Sequence, residues 1–404
     1  MTESLSAPVQ LPVERPADRP FDPPTELAEL RARTPLRRLD FPDGHVGWLV
    51  TSHALVRAVL GDQRFSARHE FMHSPFPGTE DIKIPAAPPG HFSAFDPPEH
   101  TRFRKLLTGK FTVRRMAQLT AGIERFTADC LDAMEREGSS VDLVRTFARP
   151  IPTLTICDLL GVPDQDQDVF QRVARLNELD VTPEETVEIM TSLDKYMHEL
   201  VLAKRAAPTD DLLSDVAASD LTVEELTGVG TLLLGTGLDT TANMIALGVF
   251  ALLTNPDQVA PLRRGDGDID RVVEELLRYL SIQFFSVRTA LADVELGGER
   301  IKDGDTLVLS LHAANRDPDR FADPDTLDVE RRAAGHLAFG YGIHQCLGQQ
   351  LARVEMRVAI PALLARFPTL RLAAAPEDVP LRTGAMYGVH RLPVTWGEEE
   401  ARCG

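Results

Sequence analysis

The stretch Phe339–Gly348 reads FGYGIHQCLG and decides how the whole chain is interpreted. Its single cysteine, Cys346, stands just before an amphipathic run over residues 349–360, which predicts a helix. A thiol at a helix N-terminus meets unpaired N–H donors and the positive end of the helix dipole, and both favour the thiolate. The three glycines of the stretch permit sharp turns and the close approach of a flat partner. The stretch therefore predicts a soft metal ligand at Cys346, although a cysteine taken alone is most often a small buried hydrophobe.

The spacing within this stretch resembles the haem-ligand loop of the cytochrome P450 family, which runs Phe-x-x-Gly-x-x-x-Cys-x-Gly. Its fixed positions are met by Phe339, Gly342, Cys346 and Gly348. The resemblance implies a mainly α fold with small β-sheets, a haem b cofactor, and Cys346 as the axial ligand of the haem iron. It further implies haem contacts at Phe339 and Gly340.

The resemblance extends over nearly the whole chain and implies one domain over residues 26–400, preceded by a flexible arm over residues 1–25. The haem is expected between a long helix at residues 222–254 and the cysteine loop at residues 339–348. The long helix begins with a Thr-x-x-Glu capping box at Thr222.

Composition and charge exclude several classes of function. The 404 residues carry a formal net charge of −18, which argues against nucleic-acid binding. The four cysteines show no close pairing, so we expect no disulfide scaffold and a reducing cytoplasm. Residues 1–24 lack a basic segment followed by an apolar one, which argues against a signal peptide or membrane anchor. The apolar run 226–254 is long enough to span a bilayer, but Asp239 near its middle favours a buried helix in a soluble protein.

The rest of the chain has a mainly helical pattern, with short strand-like runs near residue 48 and in the C-terminal half. Residues 67–98 are rich in Pro, His and Gly without periodicity, so we expect a long functional loop there. The predicted helices cover residues 52–60, 99–138, 142–160, 164–206, 222–254, 268–281 and 349–360, and the predicted strands cover residues 47–51, 287–292, 294–296, 306–311, 369–373, 380–384 and 389–396.

The long helix carries a polar segment, Leu233–Thr241, that reads LLGTGLDTT. Each interior glycine costs a helix about 1 kcal/mol relative to alanine, so these glycines need a compensating reason, such as the close approach of a macrocycle. Taken alone, Asp239 and Thr240 could be an acid satisfied by an arginine and a hydroxyl bonded to a carbonyl one turn earlier. Beside the cysteine loop they resemble the family's acid–alcohol pair for oxygen activation, with Gly237 at the haem.

That resemblance implies that Asp239 and Thr240 deliver protons during oxygen activation. Positioned proton transfer is typically worth about 10²–10⁴-fold in rate. Thr236 stands where the family more often has a smaller residue, which bears on the shape of the pocket.

Charged residues match further positions of the family. Glu275 and Arg278 share one helix face at i,i+3, which alone is a weak signal. The resemblance implies that Arg331 completes a structural triad with them. Because carboxylates at a buried cofactor edge require charge-assisted partners, it also implies contacts to the haem propionates. The residues expected to make these contacts are His100, Arg104, Arg288 and His344.

The sequence has no flavin or nicotinamide motif, so electrons are expected from NAD(P)H through a reductase and a ferredoxin-type donor. A basic run on an acidic protein would dock such an acidic donor by electrostatic steering, although such a run is usually only a solvated face. The run comprises Arg102, Arg104, Lys105, Lys110, Arg114 and Arg115.

The chain most resembles soluble bacterial members that modify secondary metabolites. This implies a monomer that uses O2 and a bulky hydrophobic substrate, with macrolide-type polyketides preferred. Specificity is expected from residues 67–95, 165–195, 233–240, 282–287 and 385–387. The candidate pocket residues, each of which could equally be plain core, are Leu234, Thr236, Phe284, Phe285, Met386 and Tyr387.

The leading hypothesis is a haem-thiolate monooxygenase that hydroxylates a C–H bond or epoxidises an alkene. A haem-based sensor or carrier without turnover would need Cys346 but no proton relay, so Asp239 and Thr240 argue against it. The same acid–alcohol pair disfavours a peroxide-driven peroxygenase. A zinc site at His344 and Cys346 is disfavoured because the remaining cysteines show no ligand spacing.

Overall fold

The structure, a computed structural model, describes residues 7–110, 112–166, 182–382 and 386–397. Helices dominate this part of the chain and the strands are short, which confirms the predicted mainly α fold with small β-sheets. The helices are α1 (Thr25–Arg33), α2 (His53–Gly61), α3 (Glu99–Thr108), α4 (Val113–Glu137), α5 (Pro150–Leu160), α6 (Pro183–Ala206), α7 (Leu212–Ala217), α8 (Val223–Leu253), α9 (Pro256–Arg264), α10 (Ile269–Leu280), α11 (Leu311–Asn315) and α12 (Gln349–Arg366). The strands are β1 (Leu36–Asp40), β2 (Val46–Val50), β3 (Phe65–Ser66), β4 (Ser140–Asp142), β5 (Phe285–Ala290), β6 (Val294–Leu296), β7 (Glu299–Ile301), β8 (Thr306–Ser310), β9 (Arg371–Leu372), β10 (Leu381–Arg382), β11 (Gly388–Val389) and β12 (Pro393–Thr395).

The predicted elements mostly agree with the structure in type, and differ in where they begin and end. The single helix predicted over 99–138 is two helices, α3 and α4, and Thr112 caps the second by accepting a hydrogen bond from the N–H of Arg115. Part of the helix predicted over 164–206 is α6, and residues 167–181 lie outside the described residues. The short helices α1, α7, α9 and α11 were not predicted, because short helices depend on tertiary packing more than on sequence periodicity.

The chain divides into two compact units, and unit 1 comprises residues 1–104 and 274–347. It contains a five-stranded sheet in the order β1-β2-β8-β5-β3 and the β6–β7 hairpin. Strands β2 and β8 pair in parallel, and β8 is buried along its whole length. One sheet face packs in a cluster that includes Leu307 and Leu309, and the other packs in a cluster that includes Leu49 and Val308. Burial on both faces explains why β8 is a run of apolar residues rather than an alternating one.

The N-terminal segment 7–24 is held against unit 1. Val9 forms a bridge with Leu39 of β1, and Arg15 contacts the two ring nitrogens of His312 at 3.2 and 3.1 Å. The backbone and side chains of this segment therefore have partners in the unit, and the flexible arm over residues 1–25 stays a prediction.

Unit 2 comprises residues 105–273 and 348–404, and α8 is its central helix. The predicted capping box is present: Thr222 Oγ1 accepts from the Glu225 N–H (3.1 Å), and the Glu225 carboxylate accepts from the Thr222 N–H (2.8 Å). Among the described residues α8 is the one helix long and apolar enough to cross a membrane, and 72% of its most apolar window is buried. That burial supports its interpretation as a core helix. The unit also contains a β4-β12-β9 sheet and the β10–β11 pair.

Helix packing explains two glycines of α8. A Cβ on Gly237 would lie 3.0 Å from Ile156 of α5, and a Cβ on Gly230 would overlap Met197 of α6. The close approach at Gly237 is thus made by a neighbouring helix, and the predicted haem contact of Gly237 stays a prediction. The single domain over residues 26–400, with its haem against the long helix and the cysteine loop, stays a prediction.

Candidate active site

The cysteine loop closes on itself within unit 1. The Cys346 N–H donates to the Phe339 carbonyl (2.9 Å), so the two ends of the predicted motif lie together. Gly340 and Gly342 have φ angles of 69° and 75°, which residues with side chains rarely adopt. A Cβ on Gly342 would also collide with the backbone oxygen of Leu60. The glycine spacing therefore shapes a tight loop in which the Cys346 side chain is exposed.

Buried charges hold the segment that leads to this loop. Glu275 and Arg278 are fully buried on α10 and form a two-point ion pair (2.7 and 2.8 Å). Arg331 Nε donates to the same carboxylate (3.1 Å), so the three residues of the predicted triad are together. Arg278 Nη1 also donates to the carbonyls of Asn315 and Pro324 (2.8 Å each). These bonds tie α10 to the chain that precedes the cysteine loop.

Four residues predicted at the haem edge also lie in unit 1, and we call them the haem-edge cluster: His100, Arg104, Arg288 and His344. The rings of His100 and His344 are 4.2 Å apart, and their Nδ1 atoms are buried without a hydrogen-bond partner among the described residues. Burial, together with the charges of Arg288, His100 and Arg104, lowers the pKa of His344 to about 3. Burial also lowers the pKa of Arg288 to about 10, and its guanidinium donates to a hydroxyl and a main-chain carbonyl. The cluster is therefore rich in donors and positive charge.

This donor set fits the two carboxylates of a haem. Carboxylates would accept from the imidazole nitrogens that lack partners and would offset the positive charge of the arginines. Burial lowers the pKa of Arg104, and the nearby charge of Cys346 partly opposes that shift. The haem-edge cluster therefore lies close to the cysteine. Phe339 and Gly340 belong to the same loop, and the ring of Phe339 lies 6.0 Å from that of His336.

In unit 2, α8 presents Asp239 and Thr240 side by side, and each has a partner. Asp239 Oδ1 accepts from Arg382 Nη1 (2.7 Å). Thr240 Oγ1 donates to the Thr236 carbonyl one turn earlier (2.8 Å). Asn243 Nδ2 donates to the Asp239 carbonyl (2.9 Å). These contacts are the ones expected if Asp239 and Thr240 had a purely structural role. Any proton transfer by the two residues would have to start from the same contacts.

Sequence reasoning missed a buried acid beside this pair. Glu355 of α12 is 2% exposed and hydrogen bonds with the hydroxyls of Thr241 and Thr155. Burial raises the pKa of Glu355 to about 8, although both hydroxyls lower it. Thr241 directly follows Thr240 in α8. A charged residue on an amphipathic helix normally predicts a solvated face, so no local signal distinguishes Glu355 from an exposed acid.

Two of the predicted pocket residues are half-buried side chains of unit 1. Phe284 packs between the guanidinium of Arg15 (4.8 Å) and the ring of His312 (4.7 Å). Phe285 packs against Phe76 (5.1 Å) and against a buried cluster of the sheet. Both side chains are half-buried, and their place in the pocket wall stays a prediction.

The other pocket residues lie in unit 2. Leu234 and Tyr387 are buried, and Met386 is half-buried. Thr236 is exposed, and its hydroxyl donates to the Leu232 carbonyl (2.7 Å). Two of the predicted specificity segments lie partly outside the described residues. These parts are residues 167–181 of the segment 165–195 and residue 385 of the segment 385–387.

The predicted basic docking run is smaller than its sequence suggests. Arg115 is buried and pairs with Asp215 (2.8 Å), and Arg114 pairs with Asp210 (3.1 Å). Arg104 is half-buried in the haem-edge cluster. Two of the six predicted residues, Arg114 and Arg115, are thus engaged by acids of residues 210–215, which the linear sequence does not place beside them. The remaining members are Lys105, which is exposed, and Arg102 and Lys110, which are half-exposed.

Comparisons with known proteins identify the family of the chain. The family model described as Cytochrome P450 matches residues 269–389. Cytochrome P450 105C1 from a Streptomyces species is 47% identical over 378 residues, which cover 92% of this chain and 95% of that protein. Pentalenic acid synthase from Streptomyces avermitilis is 42% identical and covers 92% of this chain and 94% of its own length. The crystal structure of CYP105P1 in complex with filipin I matches at 42% identity with a TM-score of 0.89, covering 97% of this chain and 99% of that one.

The fold, the cysteine loop and these similarities define a haem enzyme of oxidative metabolism. The chain belongs to the cytochrome P450 family. It is accordingly a cytochrome P450 monooxygenase, and its cofactor is haem iron.

Proposed function

We propose that this cytochrome P450 inserts one oxygen atom of O2 into a C–H bond or an alkene of a bulky hydrophobic molecule, of the macrolide or polyketide type. The observation that carries the proposal is the closed loop with Cys346 exposed beside the haem-edge cluster. The names of two similar proteins, a pentalenic acid synthase and a protein crystallised with filipin I, support a secondary metabolite as substrate.

In this proposal the Cys346 thiolate would bind the haem iron, and the haem-edge cluster would hold the propionates. Arg104 and Arg288 would donate charge-assisted hydrogen bonds to them, and the imidazoles of His100 and His344 would supply the donors that otherwise have no partner. When bound, the haem supplies the activation of dioxygen, which a thiolate ligand favours. The buried triad of Glu275, Arg278 and Arg331 keeps the loop in place.

Asp239 and Thr240 are proposed to move protons to the reacting oxygen. The Asp239 side chain is 21% exposed, which leaves it able to exchange protons with solvent. The Thr240 hydroxyl has to turn away from the Thr236 carbonyl to pass a proton on, because its hydrogen is engaged there. Such positioned transfer accounts for about 10²–10⁴-fold in rate.

Electrons are proposed to come from NAD(P)H through a reductase and a ferredoxin-type donor. Lys105, together with Arg102 and Lys110, supplies basic side chains on a chain of net charge −18, which suits an acidic donor. The buried cysteines Cys130 and Cys157 are not in disulfides, which supports a cytoplasmic location, and we propose a monomer.

The first test is the absorption spectrum of the dithionite-reduced, carbon monoxide-bound protein. A strongly red-shifted Soret band is expected for the wild type and is expected to vanish in Cys346→His. Cys157→Ser is the matched control, because that cysteine is buried in α5, and it should keep the band. A Soret band typical of histidine ligation in the wild type would refute the assignment of Cys346.

The second test concerns substrate and turnover. Filipin I and related macrolactones should shift the ferric haem from low to high spin, and a ligand that shifts it should be oxidised when a ferredoxin system is added. Thr240→Ala should lower product yield while the reduced carbon monoxide spectrum is unchanged. Thr254→Ala is the control, since its hydroxyl makes the same bond to a carbonyl one turn earlier (3.0 Å) at the far end of α8.

The alternatives make opposite predictions in the same assay. A sensor or carrier would show spin shifts without substrate-dependent oxygen uptake. A peroxygenase would turn over faster with hydrogen peroxide than with the ferredoxin system. The substitution Thr240→Ala would leave its product yield unchanged.

A further inference from the structure

The carboxylate of Asp239 accepts a hydrogen bond from a residue that lies 143 positions later in the chain. Arg382 Nη1 donates to Asp239 Oδ1 (2.7 Å) and to Asn243 Oδ1 (3.2 Å). Asn243 in turn donates from Nδ2 to the Asp239 carbonyl (2.9 Å). The Asp239 and Arg382 side chains are 21% and 16% exposed, so water competes weakly for either partner. One guanidinium nitrogen therefore joins the acid to the next turn of its own helix.

The β10–β11 pair fixes the guanidinium in this place. Arg382 is directly opposite Gly388 in the register of the two strands. A Cβ on Gly388 would overlap the side-chain amide of Asn243, so the absence of a side chain lets β11 lie against α8 at that turn. Val389 and Tyr387 on either side of the glycine are buried. The β10–β11 pair therefore packs against α8 one turn after Asp239, and this packing positions Arg382.

We propose that Arg382 is a positioning residue for the proton relay: it holds the Asp239 carboxylate in one orientation from which protons enter the site. This inference rests on the proposed function of Asp239. A carboxylate without the arginine would sample several rotamers, and only part of that population would be placed to pass a proton to Thr240. The neighbouring acid Glu355 hydrogen bonds with Thr241 and Thr155 instead. It therefore does not take the place of Asp239 as the acid that Arg382 binds.

The test compares oxygen consumption by haem-loaded protein driven by NADPH, ferredoxin–NADP reductase and plant-type ferredoxin, with and without filipin I. Arg382→Ala should lower the rate roughly threefold to tenfold, the loss expected when one partly buried ion pair that orients a reacting group is removed. Arg382→Gln should behave likewise and serves if the alanine variant does not fold. Arg382→Lys should recover most of the rate, because it restores a charged donor.

The decisive comparison is made in the Asp239→Asn background. If the arginine acts through Asp239, then adding Arg382→Ala to Asp239→Asn lowers the rate no further. Chemical unfolding of the same variants supplies a readout independent of turnover: the stability losses of Asp239→Asn and Arg382→Ala should be less than additive. Arg366→Ala is the control, because its ion pairs with Asp132 and Glu135 link α12 to α4. That control should retain the wild-type rate.

Each contrary result has a separate meaning. An unchanged rate in Arg382→Ala and Arg382→Gln, with a slowed Asp239→Asn, overturns the positioning role and leaves the relay intact. A further loss in the double variant equal to the loss in the single one also overturns it, since Arg382 would then act elsewhere. An unchanged rate in Asp239→Asn overturns the relay and, with it, this inference.

Discussion

Glu355 should make the stability of this protein fall as the pH rises. The carboxyl group is 2% exposed, and burial raises its pKa to about 8, against 4.5 for an ordinary glutamate. Between these two values the folded protein keeps a proton that the unfolded chain has lost. Stability from this group is therefore complete below about pH 4.5 and is lost progressively as the pH rises to about 8. At ~1.4 kcal/mol for each pH unit, the whole loss is on the order of 4–5 kcal/mol.

The perturbation that isolates this effect is Glu355→Gln. Glutamine keeps the shape and can still hydrogen bond with the hydroxyls of Thr241 and Thr155, but it does not titrate. The variant should therefore gain stability over the wild type as the pH rises. The difference in unfolding free energy between the two proteins should move in favour of the variant by about 4 kcal/mol between pH 4.5 and pH 8.5, with most of the change below pH 8.

The assay is chemical unfolding of the ferric, haem-loaded protein at a series of pH values, followed by circular dichroism. Other titrating groups cancel because the wild type and the variant differ at one position. Glu377→Gln is the matched control, since that glutamate is exposed, and its difference from the wild type should be flat with pH. A flat difference for Glu355→Gln as well would refute the reasoning, because it would mean that the buried carboxyl titrates like an exposed one.

Three further changes test the parts of the site in unit 1. Glu275→Gln leaves the guanidinium of Arg278 buried without its counter-charge and should cost about 3–5 kcal/mol in urea unfolding; a cost near zero would show that the pair is dispensable. Arg288→Leu should speed haem transfer to apomyoglobin roughly tenfold through the loss of a charge-assisted hydrogen bond, and an unchanged rate would remove it from the propionate site. Gly342→Ala forces a side chain to a φ of 75° against Leu60, so little haem-loaded protein should be recovered; normal haem content would contradict the strain.

The elements with local signals were predictable from sequence. The capping box at Thr222 placed the start of α8, and the glycine spacing at residues 339–348 predicted a tight loop around Cys346. Both depend on backbone chemistry within a few residues. The missed helices and the docked N-terminal segment depend on packing against distant parts of the chain, to which short-range patterns are blind.

The predictions for the site divide in the same way, between short local motifs and contacts made with distant parts of the chain. The resemblance of short motifs was sufficient to predict Cys346, the triad and the haem-edge cluster, and the structure brings the members of the last two sets together. The pocket role of Phe284 and Phe285 stays a prediction, because in sequence an aromatic residue at a strand start looks the same whether it faces a ligand or a core.

What the sequence by itself determined is the family, the mainly helical fold and the chemistry of the cysteine loop, because each is encoded in residues close together in the chain. What only the tertiary structure decided is which distant side chains meet. It paired Asp239 with Arg382, buried Glu355 against Thr241, and paired Arg114 and Arg115 of the basic run with acids. The physical reason is that ion pairs and burial act through space, and their partners are set by packing rather than by sequence separation.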